Sequence, residues 1–139
     1  MNKPSVRAQV ITRRTYSRPL DDKDETYETW EQTIDRVINH QAWLWSRALN
    51  ESGEDLRERF NSELEELRQL LLERKVMVSG RTLWLGGTDV AKKREASQFN
   101  CAHLKVETIH DVVDSLWLLL QGCGVGFTPV VGTLSGFTK

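Results

Sequence analysis

A cysteine preceded by asparagine, Asn100-Cys101, stands about twenty residues after Ser79-Gly80-Arg81-Thr82-Leu83-Trp84. It stands about as far before the glycine-rich stretch Gly122-Cys123-Gly124-Val125-Gly126-Phe127. A thiol at a strand start, flanked by segments whose backbone can approach a ligand closely, can serve as a two-electron reductant by forming a disulfide with a second cysteine. The same residue can equally be a small buried hydrophobe, and spacing alone leaves both readings open. Cys123 is the other thiol of the chain. Its place at a helix C-cap favours a structural role, although pairing with Cys101 is open in principle. Two cysteines without CxxC spacing, with His40, His103 and His110 scattered, do not build a tetrahedral zinc centre. His103, two residues beyond Cys101, shares its strand face as a candidate neighbour or as a core or edge histidine.

The glycine run at 122–126 lies at a helix-to-strand junction, the reverse of a phosphate-binding loop, which passes from strand into helix. It is no dinucleotide or P-loop fingerprint. Its glycines suit a tight turn and a close approach of backbone to a flat ligand such as a ribose or base. Arg81 and Thr82 add a cation and a hydroxyl suited to phosphate.

These residues need elements to hold them. Residues 1–25 mix basic, hydroxyl and proline residues without clear period and read as an extended arm, with one short strand at Val6–Ile11. From Thr26 to Asn50, Trp30, Ile34, Val37, Ile38, Leu44, Trp45 and Leu49 recur at three- and four-residue steps, while Glu28, Glu31, Asp35 and Arg36 take the other face. Glu51-Ser52-Gly53 interrupts this helix, and Leu56, Phe60, Leu64, Leu67 and Leu71 mark a second from Glu54 to Arg74. A short link makes the two an antiparallel pair, so that residues 26–75 form a helical region. Residues 76–139 change grammar: strands are expected at Leu83–Leu85 and Phe99–Val106, with a turn at Gly86-Gly87-Thr88-Asp89. A helix starts at Thr108 with Asp111 completing a capping box, and Ile109, Val112, Val113, Leu116, Leu119 and Leu120 form its expected buried face. Gly122 should end it in a left-handed cap, and Val125–Val131 should follow as a buried strand.

A formal net charge of −1 gives no global pull toward nucleic acid or membrane, and Arg13-Arg14 and Lys92-Lys93-Arg94 are only local basic points. The longest apolar stretch, Val112 to Leu120, is far short of the roughly 20 residues of a membrane span. Sparse cysteine and the lack of a signal peptide point to the cytoplasm.

On these residues the sequence resembles the N-terminal part of an adenosylcobalamin-dependent, class II ribonucleotide reductase of the monomeric ribonucleoside-triphosphate type. Thr15-Tyr16-Ser17-Arg18 and Glu28-Thr29-Trp30-Glu31-Gln32-Thr33 with Arg36-Val37 resemble the family's opening helix. Ser79-Gly80-Arg81-Thr82-Leu83-Trp84 with Gly87-Thr88 is the most specific segment, and Asn100-Cys101 and Gly124-Val125-Gly126-Phe127 follow in order. The resemblance implies an α/β fold, α+β for the fragment alone: an N-terminal helical hairpin leading into the first strands and a helix of a ten-stranded α/β barrel. It implies that Cys101 is one of two cysteines that reduce the substrate and become a disulfide. It also implies that Thr82, Asn100 and the backbone of Gly124, Val125 and Gly126 touch substrate phosphate or ribose.

The implied reaction replaces the 2′-hydroxyl of a ribonucleoside triphosphate by hydrogen, with adenosylcobalamin initiating the radical step and a thioredoxin-type reductant restoring the thiols. The family usually carries glycine where Cys123 stands. The radical cysteine, the partner of Cys101 and the cobalamin contacts match nothing in these 139 residues. A complementary C-terminal fragment is therefore expected, whether the gene is truncated, split or intein-interrupted, and the chain alone should be inactive. Two other functions compete: a noncatalytic interaction module derived from such a reductase, and a small thiol oxidoreductase working through Cys101 alone.

Overall fold

Serine and threonine caps at the helix starts, Ser5, Thr29, Ser79, Thr88 and Thr108, decide much of the local structure. The computed structural model describes residues 4–23, 25–49 and 54–130, and the chain divides into two compact units, residues 1–87 and 88–139.

The first unit is built on helices α2 (Trp30–Leu49) and α3 (Glu54–Leu72), preceded by α1 (Val6–Ile11) and followed by α4 (Gly80–Leu85). The apolar stripe of α2 buries Ile34, Val37 and Ile38 against Leu64 and Leu71 of α3 and Leu83 of α4, with Tyr16, Trp30, Trp45 and Leu67 packed around them. Full burial of such side chains contributes about 1.5–3 kcal/mol each. The pair is antiparallel, as the short link requires. Trp30, at the start of α2, donates its indole N–H to the carbonyl of Leu71 at the end of α3, 3.2 Å away. Trp45, near the end of α2, packs on Phe60 with ring centroids 4.7 Å apart. Arg68 reaches back across the pair to Asp35 at 2.7 Å. The link Glu51-Ser52-Gly53 itself lies outside the described residues.

Two expected strands are helices. Val6–Ile11 is helical because Ser5 caps it, its hydroxyl accepting from the Ala8 amide at 3.2 Å. Its apolar residues gain no core, since Val6 is 77% exposed. The alternation at Leu83–Leu85 is too short to separate strand from helix by period. Ser79 settles it by accepting from the Thr82 amide at 3.2 Å, which starts α4 and buries both leucines. The expected turn at 86–89 opens into α5 (Asp89–Lys93), capped by Thr88, and a 3-10 turn over Glu95–Gln98.

Arg36 fastens this unit. Expected on the solvent face of its helix, it is instead largely buried and paired with Glu28, Nε to Oε1 at 2.8 Å and Nη2 to Oε2 at 3.0 Å. Nη2 also donates to the carbonyls of Tyr16 (3.2 Å) and Leu83 (3.0 Å), sharing its two hydrogens among three acceptors, and Nη1 donates to the carbonyl of Gly86. One guanidinium thus ties three segments together through its fork of N–H groups. Gly87 is required beside it: its φ is +80°, and a Cβ there would lie 2.7 Å from Arg36 Cγ.

The second unit is a β–α–β arrangement. Strand β1 (Cys101–Val106) pairs in parallel with β2 (Gly124–Pro129), and α6 (Ile109–Leu120) connects them. The capping box at its start is in place, with Asp111 accepting from the Thr108 amide at 2.7 Å and from that of Glu107 at 2.9 Å. Gly122 ends the helix at φ 83°, with the Cys123 amide bonded to the Leu118 carbonyl at 3.1 Å in a Schellman closure. Val131, the last residue of the expected strand, lies outside the described residues. The expected buried face of α6 is largely uncovered: Ile109, Val113, Leu116, Leu119 and Leu120 are each at least half exposed. Two strands cover only a narrow stripe of a helix. Helices and a small parallel sheet together make this an α/β fragment, with no closed barrel among the described residues.

Candidate functional site

Parallel pairing brings Cys101 opposite Gly124, Ala102 opposite Val125 and His103 opposite Gly126. Side chains alternate between the faces of a strand, so Cys101, His103, Gly124 and Gly126 share one face of this small sheet. The other face carries Val106, Val125 and Phe127, which join Val112, Leu116 and Leu119 of α6 around an apolar cavity of 310 Å³. Cys101 therefore lies on the sheet face turned away from α6, and it is exposed.

The start of the two strands is held tightly. The Gly124 amide donates to the Asn100 carbonyl at 2.8 Å, which fixes Asn100, Cys101 and Gly124 in register. A Cβ at Gly124 would meet that carbonyl at 3.4 Å and Cys101 Sγ at 3.8 Å, so glycine leaves the space over the thiol open. A Cβ at Gly126 would come within 3.2 Å of His103 Nδ1. The other ring nitrogen of His103 is 3.0 Å from the Thr128 hydroxyl, which anchors the imidazole on the Cys101 face. Glycine at both positions keeps a shallow strip of backbone accessible between the thiol and the imidazole.

Of the residues singled out in sequence, the structure gathers Asn100, Cys101, Gly124 and Gly126. Val125 is adjacent in backbone, but its side chain turns under α6. Thr82 belongs to the first unit, in the first turn of α4, where its hydroxyl lies 2.9 Å from that of Ser79. Sequence reasoning gave no weight to Thr128, whose alternation along β2 places it on the exposed face. Cys123, by contrast, is 2% exposed, with Sγ 3.8 Å from the Gly124 carbonyl.

The two thiols should therefore differ sharply toward an alkylating agent. Iodoacetamide in the native state is expected to modify Cys101 at least about tenfold faster than Cys123, and unfolding should erase the difference, since access limits the buried thiol. Peptide mass mapping over time reads the two rates. Equal rates in the native state would contradict the placement of the strands.

A sequence model of the ribonucleotide reductase alpha domain matches residues 4–88, which covers the first unit and reaches the start of α5. Among curated proteins, the adenosylcobalamin-dependent ribonucleoside-triphosphate reductase of Lactobacillus gasseri is 34% identical over 150 aligned positions, covering 94% of this chain and 20% of that protein. The enzyme of the same name from Lactobacillus helveticus is 35% identical over 92 positions, covering 66% of this chain and 12% of its own length. The chain thus spans a fifth or less of these two relatives. No solved structure matches it. With the family model covering well over half of the sequence, the chain belongs to the ribonucleotide reductase alpha-domain family.

Proposed function

We propose that this chain is the N-terminal portion of an adenosylcobalamin-dependent ribonucleoside-triphosphate reductase, inactive until a complementary C-terminal chain completes the barrel. The observation that carries the reading is the exposed Cys101, in register with Gly124 on the sheet face opposite α6. Parallel sheets in α/β proteins are covered on both faces, helices taking one of them. In a barrel the face away from the helices is the interior, where a substrate would meet this thiol.

In this reading a ribonucleoside triphosphate lies over the Gly124–Gly126 strip, with Asn100 and the backbone of Gly124, Val125 and Gly126 positioning its ribose. The net chemistry balances around Cys101. Its thiol and a second one from the complementary chain lose two electrons and two protons to form a disulfide; the ribose C2′–OH bond breaks, one proton leaves with the oxygen as water, and the two electrons with the other proton form the C2′–H bond that replaces it. A thioredoxin-type dithiol then returns the pair to the reduced state in the cytoplasm. Adenosylcobalamin supplies the radical initiation. Its contacts are assigned to the complementary chain. No described helix is long and apolar enough to cross a membrane.

The test is reconstitution. The chain is co-expressed with the remaining segment of a lactobacillar reductase, and deoxyribonucleoside triphosphate formation is measured with adenosylcobalamin and a dithiol. Activity should appear only with both pieces present. A tight complex that stays inactive with every ribonucleoside triphosphate would favour a noncatalytic interaction module, and the exposed apolar face of α6 would then be its docking surface.

A further inference from the structure

Arg74 is the single non-glycine residue with positive φ, 58°, among the described residues. It follows α3 at the point where the chain turns away, with the Lys75 amide bonded to the Leu70 carbonyl at 2.9 Å and its own amide to that of Leu71 at 3.0 Å. Glycine is the usual occupant of such a left-handed helix end, because any Cβ there is strained. A long cationic side chain at this position calls for a compensating role.

The guanidinium lies over the Trp30 ring, 4.0 Å from its centroid. It is partly buried, and among the described residues no carboxylate pairs with it. Burial holds its pKa below the ordinary arginine value, the mark of a charge removed from water without a counterion. Arg74 also lines a cavity of 510 Å³ in the first unit, together with Thr12, Arg13, Ser17, Glu28 and Trp30. The Glu28 carboxylate is already engaged by two hydrogen bonds from Arg36, so it offers Arg74 little. Arg13 packs over the Tyr27 ring at 4.5 Å and likewise has no carboxylate partner among the described residues. Two guanidinium groups without a carboxylate partner among the described residues, half-buried Arg74 and exposed Arg13, thus border one concavity from separate segments, beside two hydroxyl residues, one of which, Ser17, is 8% exposed.

We propose that this cavity binds a phosphoryl group, with Arg74 and Arg13 supplying the charge and Thr12 and Ser17 the neutral donors. Arginine forks match the tetrahedral oxygens of phosphate, and hydroxyls complete the shell without adding charge. The volume falls in the range of small-ligand sites, so the phosphoryl group can be free phosphate or the end of a nucleotide's polyphosphate. The site lies wholly in the first unit and does not depend on the role of Cys101.

The experiment titrates the full chain with inorganic phosphate, tripolyphosphate and ATP in turn at constant ionic strength, following the indole N–H resonance of Trp30 by NMR. That resonance is assigned from its loss in Trp30→Phe. A saturable shift is expected, with affinity at least about tenfold weaker in both Arg74→Gly and Arg13→Gln, and unchanged in Arg14→Gln, which does not border the cavity. Arg74→Gly places the residue best suited to that φ, so its thermal midpoint should not fall, and Arg13→Gln gives an independent reading. A response to inorganic phosphate identifies a simple phosphate site; a response to tripolyphosphate and ATP alone identifies the polyphosphate chain of a nucleotide. No saturable shift with any of the three, or undiminished affinity in both arginine variants, overturns the proposal.

Discussion

Arg36→Met should destabilise the first unit by about 3–5 kcal/mol, because it strands the Glu28 carboxylate in a site where that side chain is 8% exposed. Losing one member of a buried pair costs far more than the pair's net worth, since the remaining charge keeps its desolvation penalty and loses its partner. Here the loss spreads further. The carbonyls of Tyr16, Leu83 and Gly86 lose their donor together, and each buried acceptor left unmet adds about 1 kcal/mol or more. Chemical denaturation monitored by tryptophan fluorescence would read the change as a lowered midpoint. An unfolding free energy within about 0.5 kcal/mol of the parent, the range of an ordinary surface substitution, would show that the pair does not fasten the unit.

The same pair sets an acid limit. Burial pushes the Glu28 carboxyl pKa up, but hydrogen bonds from Arg36, the Arg18 amide and Thr33, with the charge of Arg36, outweigh it and hold the group below its ordinary 4.5. A carboxylate whose folded value is depressed stabilises the fold above its unfolded value and loses that contribution as pH falls through the folded one. Stability of the parent should therefore be full above about pH 4.5 and decline beneath it. Glu28→Gln should be less stable at neutral pH and flatter across the acid range.

Much of this was legible in the sequence, for physical reasons that differ by element. The α2 and α3 stripes are long enough for a 3.6-residue period to dominate, so the hairpin and its antiparallel sense follow from Trp30, Ile34, Val37 and Leu71 with a short link. The ends of α6 were legible from chemistry rather than period, through Thr108, Asp111 and Gly122. Short segments failed, since in Val6–Ile11 and Leu83–Leu85 a single capping serine outweighs an apolar alternation of a few residues. Arg36 was missed for another reason. A helical wheel sends a charged residue to solvent, and nothing local shows that carbonyls from residues 16, 83 and 86 converge on it. At the candidate site, order and spacing marked Asn100, Cys101 and the glycines, but the face taken by the thiol depends on which side α6 covers, a property of the pairing register rather than of any motif.

Cys101→Ser should abolish multiple-turnover reduction in the reconstituted enzyme, by about a thousandfold or more, while leaving substrate affinity nearly unchanged. Serine keeps the size and hydrogen bonding of the side chain at an exposed strand end, so packing and fold stability should hold within about 0.5 kcal/mol. What it cannot keep is the electron pair: a hydroxyl forms no disulfide, and the two-electron step then has no donor. The loss should appear in kcat rather than in KM, the signature of a group needed only after binding. Cys123→Gly is the matched control. It removes the buried second thiol, whose Sγ lies 3.8 Å from the Gly124 carbonyl, and it should keep turnover within a few fold. A Cys101→Ser enzyme that turns over at the parental rate would remove the reducing role from this thiol, and an equal loss in Cys123→Gly would move the chemistry to the other one.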